Sequence, residues 1–156
     1  MRFPKLPKSI VKPPPGYKKP RKEDFLADMQ RIGEDIAEEF KETVIENIET
    51  NKHGFRNAES TIKKKGSDTP LIDSHQMVDS IYREGTTVSV EDTPRNDSPL
   101  TNLEMAIVHE YGVKDKGIPP RPVWRNTFRE MRPKARKHIS TLLTTGKFHK
   151  RPKKSK

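Results

Sequence analysis

The sequence contains no cysteine, which excludes disulfide bonds, catalytic thiolates and cysteine-ligated zinc. It also has no run of about 18 apolar residues, the length that a membrane-spanning helix requires. The basic start of the chain lacks the apolar segment of a secretory signal, so a cytoplasm-like compartment is expected. Hydrophobic residues make up 29% of the chain and charged residues 35%. Such a lean composition predicts that a good part of the chain lies outside a core.

Acidic residues are missing from both ends of the chain. Residues 1–22 contain eight lysines and arginines, residues 147–156 contain six, and neither segment has an aspartate or glutamate. The chain as a whole carries a formal net charge of +10, which leaves −4 for residues 23–146. This division predicts a single acidic body over residues 23–146 between two basic arms. The body alone gives no reason to expect a nucleic-acid partner.

The N-terminal arm contains six prolines interleaved with lysines, which predicts an extended, polyproline-like segment, with a disordered tail as the alternative. Lysine and arginine spaced in this way can follow a phosphate backbone or an acidic protein surface. The candidate contact residues are Lys12, Lys18, Lys19, Arg21, Lys150, Arg151, Lys153 and Lys154. Two other interpretations stay open: solubilising tails, or arms that lie on the acidic face of the first helix in another subunit.

Residues 23–51 carry the strongest helical pattern in the body. Apolar residues recur every three or four positions, and the opposite face is acidic. The apolar stripe consists of Phe25, Met29, Ile32, Ile36, Phe40, Val44 and Ile48. Such a helix would be roughly 40 Å long. That is longer than a small sheet needs, so the stripe is expected to form core and to leave room for contact with another chain.

Shorter elements are predicted between residues 52 and 91. The polar stretch 52–70 reads as a loop with one helical turn over 58–64. A short helix through Met77 and Val78 is expected to be capped by Ser74. Alternating β-branched residues around Gly85 then predict an antiparallel pair of strands over 81–84 and 86–91.

Two more helices complete the prediction. The first covers 103–111, is capped by Thr101 or Asn102, and ends at Gly112. The second runs from Val123 to about Thr144, with a kink or break at Pro133. The predicted fold class is therefore α+β, with a long N-terminal helix and a C-terminal helix packed on a short antiparallel sheet.

No pattern in the sequence indicates catalysis. His109-Glu110 resembles the start of a zinc-protease motif, which needs a second histidine four residues on, and that position is Val113. Neither glycine-rich phosphate-binding motif occurs, and no nucleophile is paired with a base. The sequence predicts a protein that is not an enzyme and that has no cofactor and no metal.

The stretch from Leu103 to Phe128 is the most distinctive part of the chain. Within Ile118-Pro119-Pro120-Arg121-Pro122, three prolines restrict φ and predict a rigid extended connector that displays Arg121. Trp124, the single tryptophan, follows two residues later. We interpret this stretch as an assembly joint whose interface residues are His109, Glu110, Tyr111, Arg121, Pro122 and Trp124.

A family resemblance includes this stretch and an earlier segment of the chain. In order along the chain come Pro70-Leu71-Ile72-Asp73-Ser74, then Met77 and Ser80-Ile81, then Ala106 to Gly112, then Ile118 to Pro122. This ordered set resembles the pattern of tailed-phage tail completion proteins, the virion morphogenesis and neck group, over about residues 20–145. The chain departs from that pattern where the family has Thr-Gly, since Ser74-His75 stands there. It also has Met105-Ala106 for the usual Tyr-Ala, and Pro120-Arg121-Pro122-Val123 for Ala-Arg-Pro-Phe.

The resemblance implies a structural virion subunit. Such subunits form a ring, expected to be hexameric, at the neck or the top of the tail, assembled in the host cytoplasm. The implied partners are other copies of the chain, the portal or its adaptor, the tail tube or tail terminator, and genomic DNA in the channel, with no membrane. The alternative from a different class is a non-enzymatic nucleic-acid-binding accessory protein that acts through its basic arms.

Overall fold

Two long helices and a two-stranded antiparallel sheet dominate the computed structural model, which describes residues 21–57, 59–66 and 75–145. The helices are α1 Lys22–Glu49, α2 Glu59–Lys65, α3 Gln76–Asp79, α4 Asn102–Tyr111 and α5 Val123–Thr145, and the strands are β1 Ile81–Glu84 and β2 Thr87–Val90. The predicted α+β class is confirmed, with α1 packed along α5 and on both strands. Apart from Arg21 and Lys22, the predicted arms lie outside the described residues.

The apolar stripe of α1 supplies one side of the core. Ile32, Val44 and Ile48 are buried, and the other four predicted stripe residues are half-buried. The helix begins one residue earlier and ends two residues earlier than predicted. Its first turn holds Glu23 and Asp24, whose charges favour the positive end of the helix dipole.

The two strands form a hairpin with Gly85 and Thr86 as its turn. Ile81 pairs with Val90 and Glu84 with Thr87. Gly85 has a φ of 55°, which suits the first position of a two-residue type II′ turn. Since Ile81 and Val90 are both buried, the open end of the hairpin is held in the core. They join the central cluster of Val44, Ile48, Met77, Val78, Ile81, Val90, Ala106 and Val123.

The helix ends show which local predictions hold. Thr101 caps α4 in a capping box: its hydroxyl accepts from the Glu104 N–H at 3.2 Å, and the Glu104 carboxylate accepts from the Thr101 N–H at 2.9 Å. The predicted cap of α3, Ser74, lies outside the described residues. The residue directly before α3 is His75, which has a left-handed φ of 54° and makes no side-chain capping bond.

Helix α5 continues past Pro133, which excludes a break, while the predicted alternative of a kink stays a prediction. Proline removes one hydrogen bond to the carbonyl four residues earlier, that of Arg129. Both residues are exposed, so water can hydrate that carbonyl and the helix continues. A buried hydrogen bond of 2.8 Å from Asn47 Nδ2 to Thr127 Oγ1 fixes α5 against α1. None of the described helices is long and apolar enough to cross a bilayer.

Candidate functional site

The predicted joint is a sharp reversal between the end of α4 and the start of α5. Gly112 ends α4 with φ 71° and ψ 174°, a conformation open almost only to glycine. A Cβ atom at this position would lie 2.6 Å from the Ile118 carbonyl oxygen and 2.7 Å from the Pro120 nitrogen. Glycine is therefore required here both by the backbone and by the close approach of the connector.

A small closed loop separates Gly112 from the proline-rich connector. Val113 and Ile118 exchange two backbone hydrogen bonds of 2.9 and 3.0 Å. Between them lie a single 3₁₀ turn, Lys114–Lys116, and Gly117 with a φ of 63°. The loop thus fixes where the connector leaves α4 and points two lysines into solvent.

Arg121 is buried, with 8% of its surface exposed, so the prediction that the connector displays it is wrong. Its side chain turns inward, where Nη2 donates to the Arg56 carbonyl at 3.0 Å and Nη1 lies 3.1 Å from His109 Nδ1. Its backbone N–H donates to the His109 carbonyl at 2.6 Å. Because a guanidinium can only donate, His109 Nδ1 must accept, which assigns the proton of the neutral ring to Nε2.

Burial gives Arg121 an electrostatic cost. Burial lowers its pKa, because desolvation disfavours the charged guanidinium. Its Nε atom is buried and has no hydrogen-bond partner. Arg121 therefore acts as an internal anchor that ties α4, the connector and the segment after α1 together through backbone carbonyls.

Glu110 is also buried and caps the N-terminus of α5. Its two carboxylate oxygens accept from the backbone N–H groups of Trp124 at 3.0 Å and Arg125 at 3.1 Å. Arg125 closes the contact by donating from Nε to the carboxylate at 2.8 Å and from Nη2 to the Glu110 carbonyl at 2.8 Å. A carboxylate at a helix N-terminus satisfies free N–H groups and complements the helix dipole. Glu110 thus has a structural role that its pairing with His109 in sequence did not reveal.

Of the six predicted interface residues, only Tyr111 is exposed, at 65%. The Arg125 guanidinium lies 5.0 Å from the centre of its ring, a cation–π contact. Trp124 is half-buried, with its ring centroid 6.0 Å from that of Phe40, and His109 and Pro122 are also half-buried. The joint is a packed unit, and Tyr111 is the part of it that reaches solvent.

Two apolar surfaces near the joint were not predicted from the sequence. The first is the outer face of α4, where Ile107 is 50% exposed and Tyr111 lies one turn further on. We call this pair the α4 ridge. Its signal was present in the sequence, since both residues lie four apart on a helix whose inward face is already occupied by Ala106.

The second surface is a groove of about 380 Å³ between α1, the hairpin and α5. Phe128 of α5 lines this groove and is 60% exposed. We call this the hairpin groove. It is lined mainly by Ile36, Ala37, Phe40, Val88, Met131 and Ala135. No local sequence pattern could have shown it, because its walls come from three segments.

The basic candidate residues are almost all outside the described ranges. Arg21 is the exception: it is exposed, precedes α1, and its Nε donates to Asp24 at 3.0 Å. Within residues 21–57, 59–66 and 75–145, no group of three histidine, aspartate or glutamate side chains could hold a metal ion.

Comparisons with models of known protein families, with curated protein sequences and with solved structures return no match to this chain. The resemblance to tail completion proteins therefore rests on its motif residues alone.

Proposed function

We propose that this chain is a ring-forming tail completion or neck subunit of a tailed phage, a structural protein of the virion. In this role it joins the head, through the portal or its adaptor, to the tail tube or tail terminator. Copies of the chain surround the channel through which DNA passes, with a hexamer as the expected ring. The subunit is made in the host cytoplasm and carries out no reaction.

The observation that carries this proposal is the backbone of His75. The tail completion pattern has a glycine at this position, where this chain has histidine. His75 nevertheless has a φ of 54°, a left-handed conformation that it shares with only one other non-glycine residue in the described ranges, Asn51. Non-glycine residues rarely adopt this conformation. The chain therefore keeps a turn suited to glycine at the one motif position where the glycine itself is absent.

The exposed apolar surfaces also support a ring. A closed ring needs head-to-tail contacts, in which two different surfaces of each subunit meet. The α4 ridge presents two exposed apolar side chains, the hairpin groove is a cavity between other elements, and the two share no residue. Apolar surface of this kind is a mark of protein interfaces. We assign the ridge of one subunit to the groove of the next.

Mixing two assembly-defective variants tests this assignment. Ile107→Glu should disable the ridge and Phe128→Glu the groove, so each variant alone should be monomeric by light scattering after size exclusion. A mixture should form dimers and nothing larger, since the intact groove of one variant accepts the intact ridge of the other. Leu26→Glu is the matched control, because Leu26 is 55% exposed and belongs to neither surface.

One result would overturn the ring function, and a different result would overturn only the assignment of the two surfaces. The ring function would be contradicted if wild-type protein stays monomeric at every concentration and is absent from purified phage particles. Assembly that survives both substitutions would leave the function standing and show that other surfaces form the contact.

A further inference from the structure

The net charge of −4 in the body conceals a strong separation of charge between its two long helices. Helix α1 has ten acidic and three basic residues, a net charge of −7. Helix α5 has six basic residues and one acidic residue, a net charge of +5. The body therefore does have a basic surface, contrary to what its total charge suggests.

The basic residues of α5 are ordered along one side of the helix. Arg125, Arg129, Arg132 and Arg136 follow one another at intervals of four, three and four residues, which places them on a single face. We call this face the arginine row. It is turned away from the side of α5 on which Val123, Thr127 and Leu142 are buried, and one of its members, Arg132, also lines the hairpin groove. The row is about 16 Å long, which corresponds to roughly five nucleotide steps along one DNA strand.

Three of the four arginines in the row form no ion pair among the described residues. Arg129, Arg132 and Arg136 are exposed, and among the described residues no carboxylate forms an ion pair with any of the three. The one acidic residue of α5, Glu130, is held by Lys52 at 2.6 Å. Arg125 is different, since it is already bound to Glu110 and half of its side chain is exposed.

We infer that the arginine row binds the phosphate backbone of nucleic acid. Guanidinium groups donate two parallel hydrogen bonds to phosphate oxygens, and a row of them can follow a strand without reading its bases. The residues after α5 carry six more basic residues and no acidic one, so the positive charge continues along the chain. This inference does not rest on the ring function, because one subunit presents the whole row.

A second copy of the chain is the competing occupant, through the acidic face of its α1. Several of those carboxylates already have partners within their own chain. Asp24 binds Arg21 and Asp28 lies near Arg31. Glu38 binds Lys41 and Arg83, and Glu39 binds Lys134. Phosphates suit the unpaired arginines better than carboxylates that are already neutralised.

The test is the affinity of the full-length protein for a labelled DNA duplex of mixed sequence, measured by fluorescence anisotropy over a range of salt concentrations. The triple variant R129Q/R132Q/R136Q should bind about tenfold or more weakly at moderate salt. Its plot of log affinity against log salt should be shallower by about 3 units, one for each lost phosphate contact. The triple lysine variant R129K/R132K/R136K should keep the slope.

Two controls distinguish the effect of the row on DNA binding from a general loss of positive charge and from the effect of the C-terminal tail. K63Q/K114Q/K116Q removes the same charge from three exposed lysines elsewhere on the body and should change binding little. K150Q/R151Q/K153Q/K154Q removes charge from the tail, and the loss caused by the row variant should persist in this background. Circular dichroism should show every variant folded, since the substituted residues of the body are exposed.

Equal losses for the row variant and the lysine control would overturn the inference, as would DNA binding that does not depend on the row. A row variant with unchanged DNA affinity but a reduced oligomer mass would assign the row to a second copy of the chain. A row variant that binds DNA more weakly but assembles normally would support phosphate binding by the row. The ring function would then be decided by the mixing experiment alone.

Discussion

At the scale of single residues, Arg121 is a buried structural anchor, although it was predicted to lie at an interface. Arg121→Ala removes the bonds to the Arg56 carbonyl and to His109 and leaves a void at a buried position. We expect a loss of about 2–3 kcal/mol in the free energy of unfolding. Arg121→Met should lose less, because it fills the space, keeps the backbone hydrogen bond and removes a desolvated charge. Urea denaturation of both variants measures this, and an unchanged midpoint for the alanine variant would contradict the anchor role.

Gly112 and Gly117 form a matched pair within the joint. Both have positive φ, but a Cβ atom at Gly112 meets the connector backbone at 2.6 Å, whereas one at Gly117 meets nothing. Gly117→Ala should cost about 1 kcal/mol from the backbone alone. Gly112→Ala should cost more than that, because the connector must also move. Equal changes in melting temperature would show that the close approach at Gly112 is not maintained in solution.

Glu38 gives the body a pH-dependent contribution to stability. Hydrogen bonds from Lys41 and then Arg83 hold its pKa below the usual 4.5, with burial opposing them. A carboxylate with a lowered pKa in the folded state stabilises the fold above the unfolded pKa, and this stabilisation is lost as pH falls through the folded value. Glu38→Gln should therefore destabilise the protein at neutral pH, with a difference that shrinks as pH falls below 4.5.

Denaturation of wild type and Glu38→Gln at pH about 7 and about 3 tests this. Glu49→Gln, at the exposed end of α1, is the control. If the stability difference between wild type and Glu38→Gln is the same at both pH values, the ion pairs of Glu38 do not contribute to the loss of stability in acid.

At the scale of elements, α5 carries a local defect that tertiary packing overrides. Pro133 lies within the helix and lacks the N–H that would bond to the Arg129 carbonyl. Since Pro133 is exposed and has no packing role, Pro133→Ala should stabilise the protein by about 1–3 kcal/mol. Differential scanning calorimetry would measure the gain, and a lower melting temperature would show that α5 depends on the shape that proline gives it.

Element prediction succeeded where the signal was local. The three- to four-residue apolar period located α1 and α5, and the cap and Gly112 located α4, all to within about two residues, while Gly85 located the hairpin turn. Thr101 was one of the two predicted caps of α4, and its box with Glu104, which was not predicted, is also a local signal because both partners lie within one turn. The break at Pro133 was overestimated, since local sequence does not show that packing elsewhere in α5 holds the helix together.

The candidate site was less predictable because its contacts join distant residues. Glu110 accepts from the backbone of Trp124, 14 residues away, Asn47 binds Thr127 across 80 residues, and Arg121 reaches the carbonyl of Arg56. A helix start at Arg121-Pro122 without a capping side chain does indicate that a partner must come from elsewhere. Which carboxylate supplies it depends on the fold.

At the scale of the whole molecule, α1 depends on α5. Val44 and Thr127 have no exposed surface, and α1 packs more extensively on α5 than on any other element. A chain that ends at residue 121 should therefore lack a cooperative thermal transition. Circular dichroism would check this, and a sharp transition in the truncated chain would show that α1 and the hairpin form a stable unit without α5.

The hydrogen bond between Asn47 and Thr127 has a consequence for synthesis. Its two residues lie 80 positions apart, so at about 5–20 residues per second the ribosome completes α1 several seconds before it supplies Thr127. During that interval the part of the apolar stripe that packs on α5 is uncovered, although the hairpin can already pack on α1. A nascent chain that stalls before α5 cannot bury it. We therefore expect a chain that stops before α5 to expose apolar surface that the complete pair of helices buries.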